Sequence, residues 1–313
     1  MYLVTGGAGF IGSHLVDRLL KKEEKVIVLD NFNSFYPPSI KRKNIKAHLN
    51  NPHFTLIEAD IRQRTALKDI FQSYRIDKVI HLAAQAGVRD SLINPFLYED
   101  VNIRGTLNLL DVCKDYPLKS FIFASSSSIY GKSENLPFSE DEILPRPISP
   151  YGATKLSGEI ICRTYHELYN IPIVCIRIFT AYGPRQRPEM AIHKFTHLIE
   201  EGKEVPLFGN GSSKRDYTYI SDLVEGIIGI LERDFKFEIF NLGGSHPIEL
   251  TKIVTLIERS LSRKAKVRYL PSQPGEPSLT FANISKATQI LNYKPKVGIE
   301  EGIEKFVSWY REK

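Results

Sequence analysis

Short apolar runs recur along the first 180 residues, and helical patterns separate them. The runs span residues 2–4, 26–30, 54–60, 78–84, 120–124 and 173–179. Between them, apolar side chains return at helical spacing, as at Ile11, Leu15 and Leu19, and residues 95–116 form a long helical segment. Runs of this length and polarity are typical of buried parallel strands. Strands that alternate with helices imply right-handed crossovers, so the pattern predicts an α/β fold with a doubly wound parallel sheet, the Rossmann arrangement.

The regular alternation stops after residue 179, and the remaining sequence mixes shorter strand and helix patterns. This change predicts a second, smaller, mixed α/β domain that binds the substrate. The large domain would comprise residues 1–179, with returns of the chain near 216–229 and 240–245. Residues 180–313 would form mainly the smaller domain.

Composition narrows the possible partners. The 313 residues are 42% apolar, which excludes a disordered chain, and the net charge of +6 favours an anionic small molecule over nucleic acid. The basic run at residues 41–43 is expected to be solvated. Cys113, Cys162 and Cys175 lie in apolar contexts without metal-ligand spacing, so they are predicted to be reduced core residues. Neither a signal peptide nor a membrane-spanning run is evident, which predicts a cytoplasmic protein.

A glycine-rich turn joins the first strand to the first helix. Gly6, Gly9 and Gly12 fit a tight turn whose backbone N–H groups and helix N-terminus face a pyrophosphate. Glycines in a loop are usually only turn residues, but here the next strand ends in Asp30, at the distance expected for a ribose-binding acid. A carboxylate there would accept hydrogen bonds from both ribose hydroxyls and repel a 2′-phosphate. The sequence therefore predicts NAD rather than NADP as cofactor.

Other strand ends reach the same edge of the predicted sheet. Asp60 is placed to cap the adenine, and residues 82–84 present small side chains where the dinucleotide approaches the backbone. His81 is interpreted as a structural histidine. Residues 125–128 are four serines that follow a buried strand, and we interpret them as a wall of the active site rather than as a linker.

Tyr151 and Lys155 are four residues apart at the start of a predicted helix, so they share one helix face. Tyrosine has an ordinary pKa of about 10, but an ammonium group and a cationic cofactor ring nearby favour its phenolate form. Most pairs with this spacing are ordinary surface contacts. The glycine turn and the serine run upstream favour a catalytic pair.

These motifs together resemble the extended short-chain dehydrogenase/reductase family over nearly the whole chain, and within it the nucleotide-sugar 4-epimerases. Residues 85–89 and 182–191 resemble UDP-glucuronate 4-epimerases in particular. The resemblance implies Ser126, Tyr151 and Lys155 as catalytic residues. It implies a cofactor set that comprises Gly6, Gly9, Phe10, Ile11, Gly12, Asp30, Asn31, Asn33, Asp60, Ile61, Leu82, Ala83, Ala84, Gln85, Asn102, Tyr151 and Lys155. It also implies a substrate set that comprises Arg89, Ser126, Ser127, Ser128, Tyr151, Thr180, Arg187, Arg215 and Glu276.

The resemblance further implies oxidation and re-reduction at carbon 4 of a UDP-sugar through a 4-keto intermediate, with no metal. Related 4,6-dehydratases carry an Asp-Glu pair where this chain has Ser127 and Ser128, so elimination lacks its acid. Thr280 stands at the family's gate position. Asp90 and Asn283 depart from the usual aromatic and Asp, which affects the pocket rim.

Three functions remain open at this point. UDP-glucuronate to UDP-galacturonate conversion is favoured, UDP-glucose 4-epimerisation is the close alternative, and a non-catalytic regulator that binds NAD or a nucleotide sugar is the third. A pure binder would not need Ser126, Tyr151 and Lys155. The helical segments 96–116 and 152–169 resemble those with which relatives build a four-helix interface, which predicts a homodimer.

Overall fold

The computed structural model describes residues 1–142, 145–271, 275 and 277–312. The strands are β1 (Tyr2–Thr5), β2 (Val26–Asp30), β3 (Phe54–Glu58), β4 (Lys78–His81), β5 (Ser120–Ser126), β6 (Ile173–Ile178), β7 (Thr180–Tyr182), β8 (Glu204–Phe208), β9 (Lys214–Tyr219), β10 (Phe237–Leu242), β11 (Pro247–Glu249) and β12 (Lys266–Leu270). The helices are α1 (Phe10–Lys21), α2 (Pro38–Ile45), α3 (Arg64–Ser73), α4 (Val88–Ile93), α5 (Pro95–Glu99), α6 (Gly105–Cys113), α7 (Pro150–Tyr169), α8 (Ala191–Glu200), α9 (Ile220–Leu231), α10 (Leu250–Leu261), α11 (Ser285–Leu291) and α12 (Ile299–Arg311).

Seven parallel strands form the main sheet, in the order β3, β2, β1, β4, β5, β6, β10. Successive side chains point to opposite faces, so Leu3 packs in one core cluster with residues of α3, α6 and α7, and Val4 packs in the other with residues of α1 and α9. Both faces are buried, which explains the apolar strand sequences. The predicted doubly wound parallel sheet is confirmed.

Two small sheets lie outside the main one. One contains β7, β9 and β11, with β7 and β9 parallel and β9 and β11 antiparallel, and the other pairs β8 with β12. Strand β10 returns to the main sheet beside β6. The predicted second, smaller part with mixed structure is therefore present, and the domain boundary at residue 179 stays a prediction.

The long helical segment predicted over residues 95–116 contains a feature that the sequence pattern does not predict. A π-helical turn, Asp100–Arg104, lies between α5 and α6. A π turn adds one residue and redirects the side chains within it, and such turns are frequent at functional sites. This one carries Asn102 inward.

The three cysteines are buried and carry free thiols, as predicted. Within the described ranges, no helix has both the length and the apolar character that crossing a bilayer requires.

Candidate active site

A cleft of about 320 Å³ opens along the carboxyl ends of the main-sheet strands. Almost the whole predicted cofactor set lines it, from the glycine turn through Asp30 and Asp60 to Gln85, together with Tyr151 and Lys155. The serines at 126–128, Thr180 and Arg187 line the same cleft. The structure thus brings together residues that lie as far apart in the sequence as Gly6 and Arg187.

The glycine turn is shaped for close backbone approach. A Cβ atom at Gly12 would lie 2.3 Å from the carbonyl oxygen of Gly6, and Gly6 has a positive φ of 69°, so both positions require glycine. No side chain of the described residues caps the N-terminus of α1, which follows Gly9. Its first amide groups and the positive end of the helix dipole are therefore available to an anion. This geometry fits a dinucleotide pyrophosphate.

Asp30 ends β2 and is held by the turn. Its carboxylate accepts hydrogen bonds from the amides of Ala8 at 3.2 Å and Phe32 at 2.9 Å. Burial raises the pKa of Asp30, while the ammonium of Lys41 and the two amides oppose that shift. Lys41, expected from the sequence to be solvated, is instead 5% exposed, and it donates to the backbone and side-chain oxygens of Asn33. That expectation is wrong because the first turns of α2 place Lys41 over the cleft.

Asp60 lies beyond β3 and is fixed by two side chains. Arg62 donates to both of its carboxylate oxygens, and Asn31 donates from Nδ2 at 2.8 Å. Burial alone would raise the pKa of Asp60, but these hydrogen bonds and the guanidinium charge outweigh it and lower the pKa to about 2. A permanently ionised acceptor at this corner suits a ligand that presents N–H or O–H groups.

Asn102 does not line the cleft, although the resemblance placed it in the cofactor set. Its amide exchanges two hydrogen bonds with the backbone of Gln85, at 2.8 and 2.9 Å, and donates to Thr154 Oγ1 at 3.0 Å. Thr154 in turn donates to the carbonyl oxygen of Tyr151. The structure therefore places Asn102 as a link that fixes the segment after β4 against the start of α7.

Tyr151 and Ser126 meet in the middle of the cleft. Ser149 caps α7 by accepting a hydrogen bond from the amide of Gly152 at 3.1 Å, which sets the helix start that carries Tyr151. Burial raises the pKa of the Tyr151 hydroxyl, and a hydrogen bond with Ser126 and the charge of Arg187 oppose that rise. Additional positive charge is required before the phenolate is favoured near neutral pH.

Lys155 is one turn further along α7 and is 4% exposed. Its Nζ donates to the carbonyl oxygen of Ala124 at 2.7 Å and lies 5.1 Å from the ring centroid of Phe123. Burial lowers the pKa of Lys155 to about 8. The ammonium is thus anchored to the end of β5, and Lys155 lines the cleft.

Behind this pair, His81 is a structural residue, as interpreted from the sequence. Its Nδ1 is 2.7 Å from Thr5 Oγ1, and its Nε2 is 2.9 Å from Thr106 Oγ1. Burial and the nearby charge of Lys155 lower the pKa of His81 to about 3. A neutral imidazole therefore ties β1, β4 and α6 together beneath the cleft.

Arg187 projects into the cleft from the loop after β7. Its Nε lies 2.9 Å from Glu189 Oε1, and its guanidinium carbon is 5.6 Å from the ring centroid of Phe35. Its charge acts on the hydroxyl groups of both Tyr36 and Tyr151. In the same cleft, Ser126 Oγ accepts a hydrogen bond from the Ser128 amide at 3.1 Å, which fixes the serine turn.

Several predicted substrate residues are not in the cleft wall. Arg89 is exposed and stacks on the ring of Phe208 at 4.3 Å, whereas Arg215, on β9, donates to the carbonyl oxygen of Lys214 at 3.0 Å. Glu276 lies outside the described residues.

The gate position and the two departures have local partners. Thr280 is buried, and its hydroxyl accepts a hydrogen bond from the amide of Asp216 at 3.1 Å. Asn283 accepts one from Ser285 N at 3.0 Å, and Asp90 lies beside Gly87. In the described part of the chain, no three His, Cys, Asp or Glu side chains are placed to hold a metal ion.

Among the cleft residues that sequence reasoning missed, four carry long or polar side chains: Phe35, Tyr36, Lys41 and Met190. A usable signal existed only for Lys41, which shares a face of α2 with the buried residues Asn44 and Ile45 at spacings of three and four. The other three lie in loops or at a helix start, where periodicity carries no information.

Comparison with known proteins agrees with this geometry. The profile of the family described as GDP-mannose 4,6 dehydratase matches residues 3–306. The UDP-glucuronate 4-epimerase of Thermodesulfobacterium geofontis is 44% identical over 312 residues, covering 99% of this chain and 96% of the relative.

Solved structures extend the similarity to the fold. The UDP-glucuronic acid 4-epimerase of Bacillus cereus, in complex with UDP-glucuronic acid and NAD, is 42% identical with a TM-score of 0.95 over 99% of each chain. The UDP-glucose 4-epimerase of Thermotoga maritima, with UDP-glucose, is 34% identical with a TM-score of 0.92 over 99% of this chain and 98% of that one. The predicted family is confirmed: the chain belongs to the GDP-mannose 4,6 dehydratase family, within the extended short-chain dehydrogenases/reductases.

Proposed function

We propose that this protein is an NAD-dependent epimerase that inverts carbon 4 of a UDP-sugar, and that it converts UDP-glucuronate to UDP-galacturonate. Relatives named UDP-glucuronate 4-epimerase that are 42–44% identical over almost the full chain support this assignment. The observation that carries it is the position of Arg187, a cation in the same cleft as the Ser126 and Tyr151 pair. A sugar that bears a carboxylate next to its reacting carbon requires that arrangement.

The residues present fit NAD. The uncapped amides at the start of α1 would hold the pyrophosphate, Asp30 would accept from the ribose hydroxyls, and Asp60 would bind the adenine. When bound, NAD takes the hydrogen of carbon 4 with its electron pair and later returns it. The buried ammonium of Lys155 lines the same cleft, where it would bind the second ribose and orient the nicotinamide ring.

Tyr151 is the general base of the proposed reaction. Its phenolate removes the proton of the 4-hydroxyl, with Ser126 as the hydrogen-bonded relay, and the same phenol returns the proton to the 4-keto sugar after the sugar has turned. Lys155 supplies positive charge that favours the phenolate. In the family's dehydratases an Asp-Glu pair supplies the acid and the base of the elimination, whereas Ser127 and Ser128 stand at that place here and cannot supply them.

The sugar carboxylate must be held during this turn. The 4-keto form of a glucuronate is a β-keto acid. It loses carbon dioxide when the bond between carbon 5 and the carboxylate lies parallel to the π orbitals of the 4-keto group. Ser127, Ser128 and Thr180 offer hydroxyl groups, and Arg187 offers a bidentate fork. We infer that these four side chains hold the carboxylate out of that alignment, so that re-reduction occurs before decarboxylation.

The test uses the purified protein without added cofactor. We expect UDP-glucuronate to be converted to UDP-galacturonate, and we expect Arg187→Ala to lose epimerisation and to release a decarboxylated UDP-4-keto-pentose with NADH. Arg187→Lys is the matched control, because it keeps the charge but cannot form the bidentate contact. The epimerisation rate of Arg187→Lys should lie between those of the parent and of the alanine variant. If Arg187→Ala epimerised UDP-glucuronate fully, or the parent converted only UDP-glucose, the carboxylate grip would be wrong.

A homodimer is also proposed. Four large apolar side chains on the outer face of α4, α5 and α7 are strongly exposed: Ile93 at 82%, Phe96 at 83%, Ile160 at 60% and Leu168 at 64%. A face of this kind supports association through these helices. Sedimentation should show a dimer for the parent and a monomer for Phe96→Glu.

The cytoplasmic location, the absence of a nucleic-acid partner, and the division into residues 1–179 and 180–313 stay predictions.

A further inference from the structure

The loop that carries Arg187 is fastened to the helix that begins at the glycine turn. His14 lies on α1, one turn beyond the glycines, and its Nε2 is 2.8 Å from the carbonyl oxygen of Pro184. The two residues are 170 positions apart in the chain. Three residues after Pro184, the backbone presents Arg187 to the cleft. A hydrogen bond from a partly buried ring therefore fixes the loop just before the functional side chain.

A second contact comes from the same face of α1. Asp17, three residues after His14, has Oδ2 at 2.8 Å from Nη1 of Arg185. No N–H group of Arg185 Nη1 points at an acceptor oxygen, so the contact with Asp17 is an ion pair and not a hydrogen bond. Arg185 has a φ of 64°, a conformation that a non-glycine residue adopts only when its surroundings hold it there. His48 approaches Asp17 Oδ1 at 2.6 Å from the other side.

The far side of the loop is fastened to α8. Gln186 donates to the carbonyl oxygen of Ala181 at 3.1 Å, and its own side-chain oxygen accepts from the amide of His193 at 3.2 Å. Arg187 therefore belongs to a short segment that His14 holds at Pro184 and that Ala181 and His193 hold at Gln186. The α1 contacts connect the backbone of that segment to the helix that begins at the glycine turn.

We propose that His14 and Asp17 are positioning residues that set the angle at which Arg187 holds the sugar carboxylate, and so determine whether the 4-keto sugar is re-reduced or decarboxylated. The inference rests on the proposed function. It adds a connection from the cofactor helix to the substrate grip. The ring of His14 packs edge-on against Phe10, with 6.0 Å between the ring centroids, and Phe10 lines the cleft.

The chemistry of the contact specifies which replacement should preserve it. The carbonyl oxygen of Pro184 only accepts, so Nε2 of His14 carries the hydrogen. Burial lowers the pKa of His14 to about 4, which keeps the ring neutral at physiological pH. A glutamine amide can place an N–H donor near the position of Nε2, whereas alanine cannot. His14→Gln is therefore a rescue variant.

The experiment measures product partition in the purified holoenzyme with UDP-glucuronate. We compare the parent, His14→Ala, His14→Gln and Asp17→Asn. The matched control is Arg18→Gln, because Arg18 lies on the same helix but pairs with Glu225 of α9 at 2.6 Å, away from the loop. Chromatography gives the ratio of decarboxylated pentose to UDP-galacturonate, and bound NAD and the melting temperature report whether the fold is intact.

We expect His14→Ala to raise the ratio of pentose to UDP-galacturonate on the order of tenfold, since displacing a reacting group by ~1 Å can change rates by up to about 10²-fold. Asp17→Asn should raise it less, and His14→Gln and Arg18→Gln should match the parent. If His14→Ala does not fold, Asp17→Asn alone carries the test. An unchanged ratio in the folded alanine and asparagine variants, with an active parent, would overturn this inference and leave the proposed function intact. A parent that does not epimerise UDP-glucuronate would overturn both.

Discussion

Arg177 and Glu159 form an ion pair directly behind the serine strand, and breaking it should be costly. Their side chains are only 4% and 5% exposed, and they meet through two contacts, at 3.1 Å and 2.9 Å. Glu159 also accepts from Ser125, and Arg177 donates to Tyr130 Oη at 2.8 Å. The pair joins α7, which carries the catalytic tyrosine, to β5 and β6.

The perturbation is Glu159→Gln, which keeps the shape of the side chain but removes its charge. The guanidinium of Arg177 would then be buried without an anion, and losing one partner of a buried pair costs about 3–5 kcal/mol. Proteins of ordinary stability unfold with roughly 5–15 kcal/mol, so the loss is a large fraction of the total. We expect the free energy of unfolding to fall by that amount in urea titrations followed by circular dichroism.

A double variant separates the charge effect from the packing. Glu159→Leu combined with Arg177→Met removes both charges at similar volume, and it should be more stable than either single variant. If the single variants lost less than about 1 kcal/mol, the value typical of exposed pairs, or if the double variant lost the sum of both, the burial argument would be refuted.

Three further predictions concern the cleft. Tyr151→Phe should lower kcat by about 10²–10⁴-fold in an epimerisation assay, because the ring stays but the ionisable oxygen is lost, while nucleotide binding measured by calorimetry should barely change. Asp30→Ala should weaken NAD binding and narrow the preference over NADP, as measured by cofactor extraction, whereas unchanged NAD binding would contradict the ribose assignment. Asp60→Asn should lower the free energy of unfolding by about 2 kcal/mol near neutral pH, because the pKa of the Asp60 carboxyl is lowered from 3.8 to about 2 in the folded state. That contribution is present above pH 4 and is lost as the pH falls towards 2, so the variant and parent stabilities should converge there.

The main sheet could be predicted because its strands are buried on both faces. Val26 to Leu29 are buried on both faces of the parallel sheet. Their continuous apolar run therefore predicts a central strand. The glycine turn and Asp30 could be placed for a similar reason. A strand end, a tight turn and a helix start follow one another in the sequence, and their geometry is local.

Other parts of the site depend on contacts between distant segments. Lys41 lies in a basic run that resembles a solvated surface, and only the packing of α2 against the cleft buries it. Asn102 belongs to a π turn, which the spacing of apolar residues does not predict. Its amide forms hydrogen bonds with Gln85 and Thr154 and does not line the cleft. His14 and Pro184 are separated by 170 residues, so their contact could not be inferred from either local sequence.

The most direct test of the account follows the hydrogen on carbon 4. UDP-glucuronate labelled with deuterium at carbon 4 is incubated with the purified protein in ordinary water, and the product is analysed by mass spectrometry and NMR. If Tyr151 removes only the hydroxyl proton and the hydrogen of carbon 4 leaves and returns within one closed site, UDP-galacturonate should retain the deuterium at carbon 4. Loss of the label to solvent, or the absence of UDP-galacturonate from the products, would contradict the proposed epimerisation.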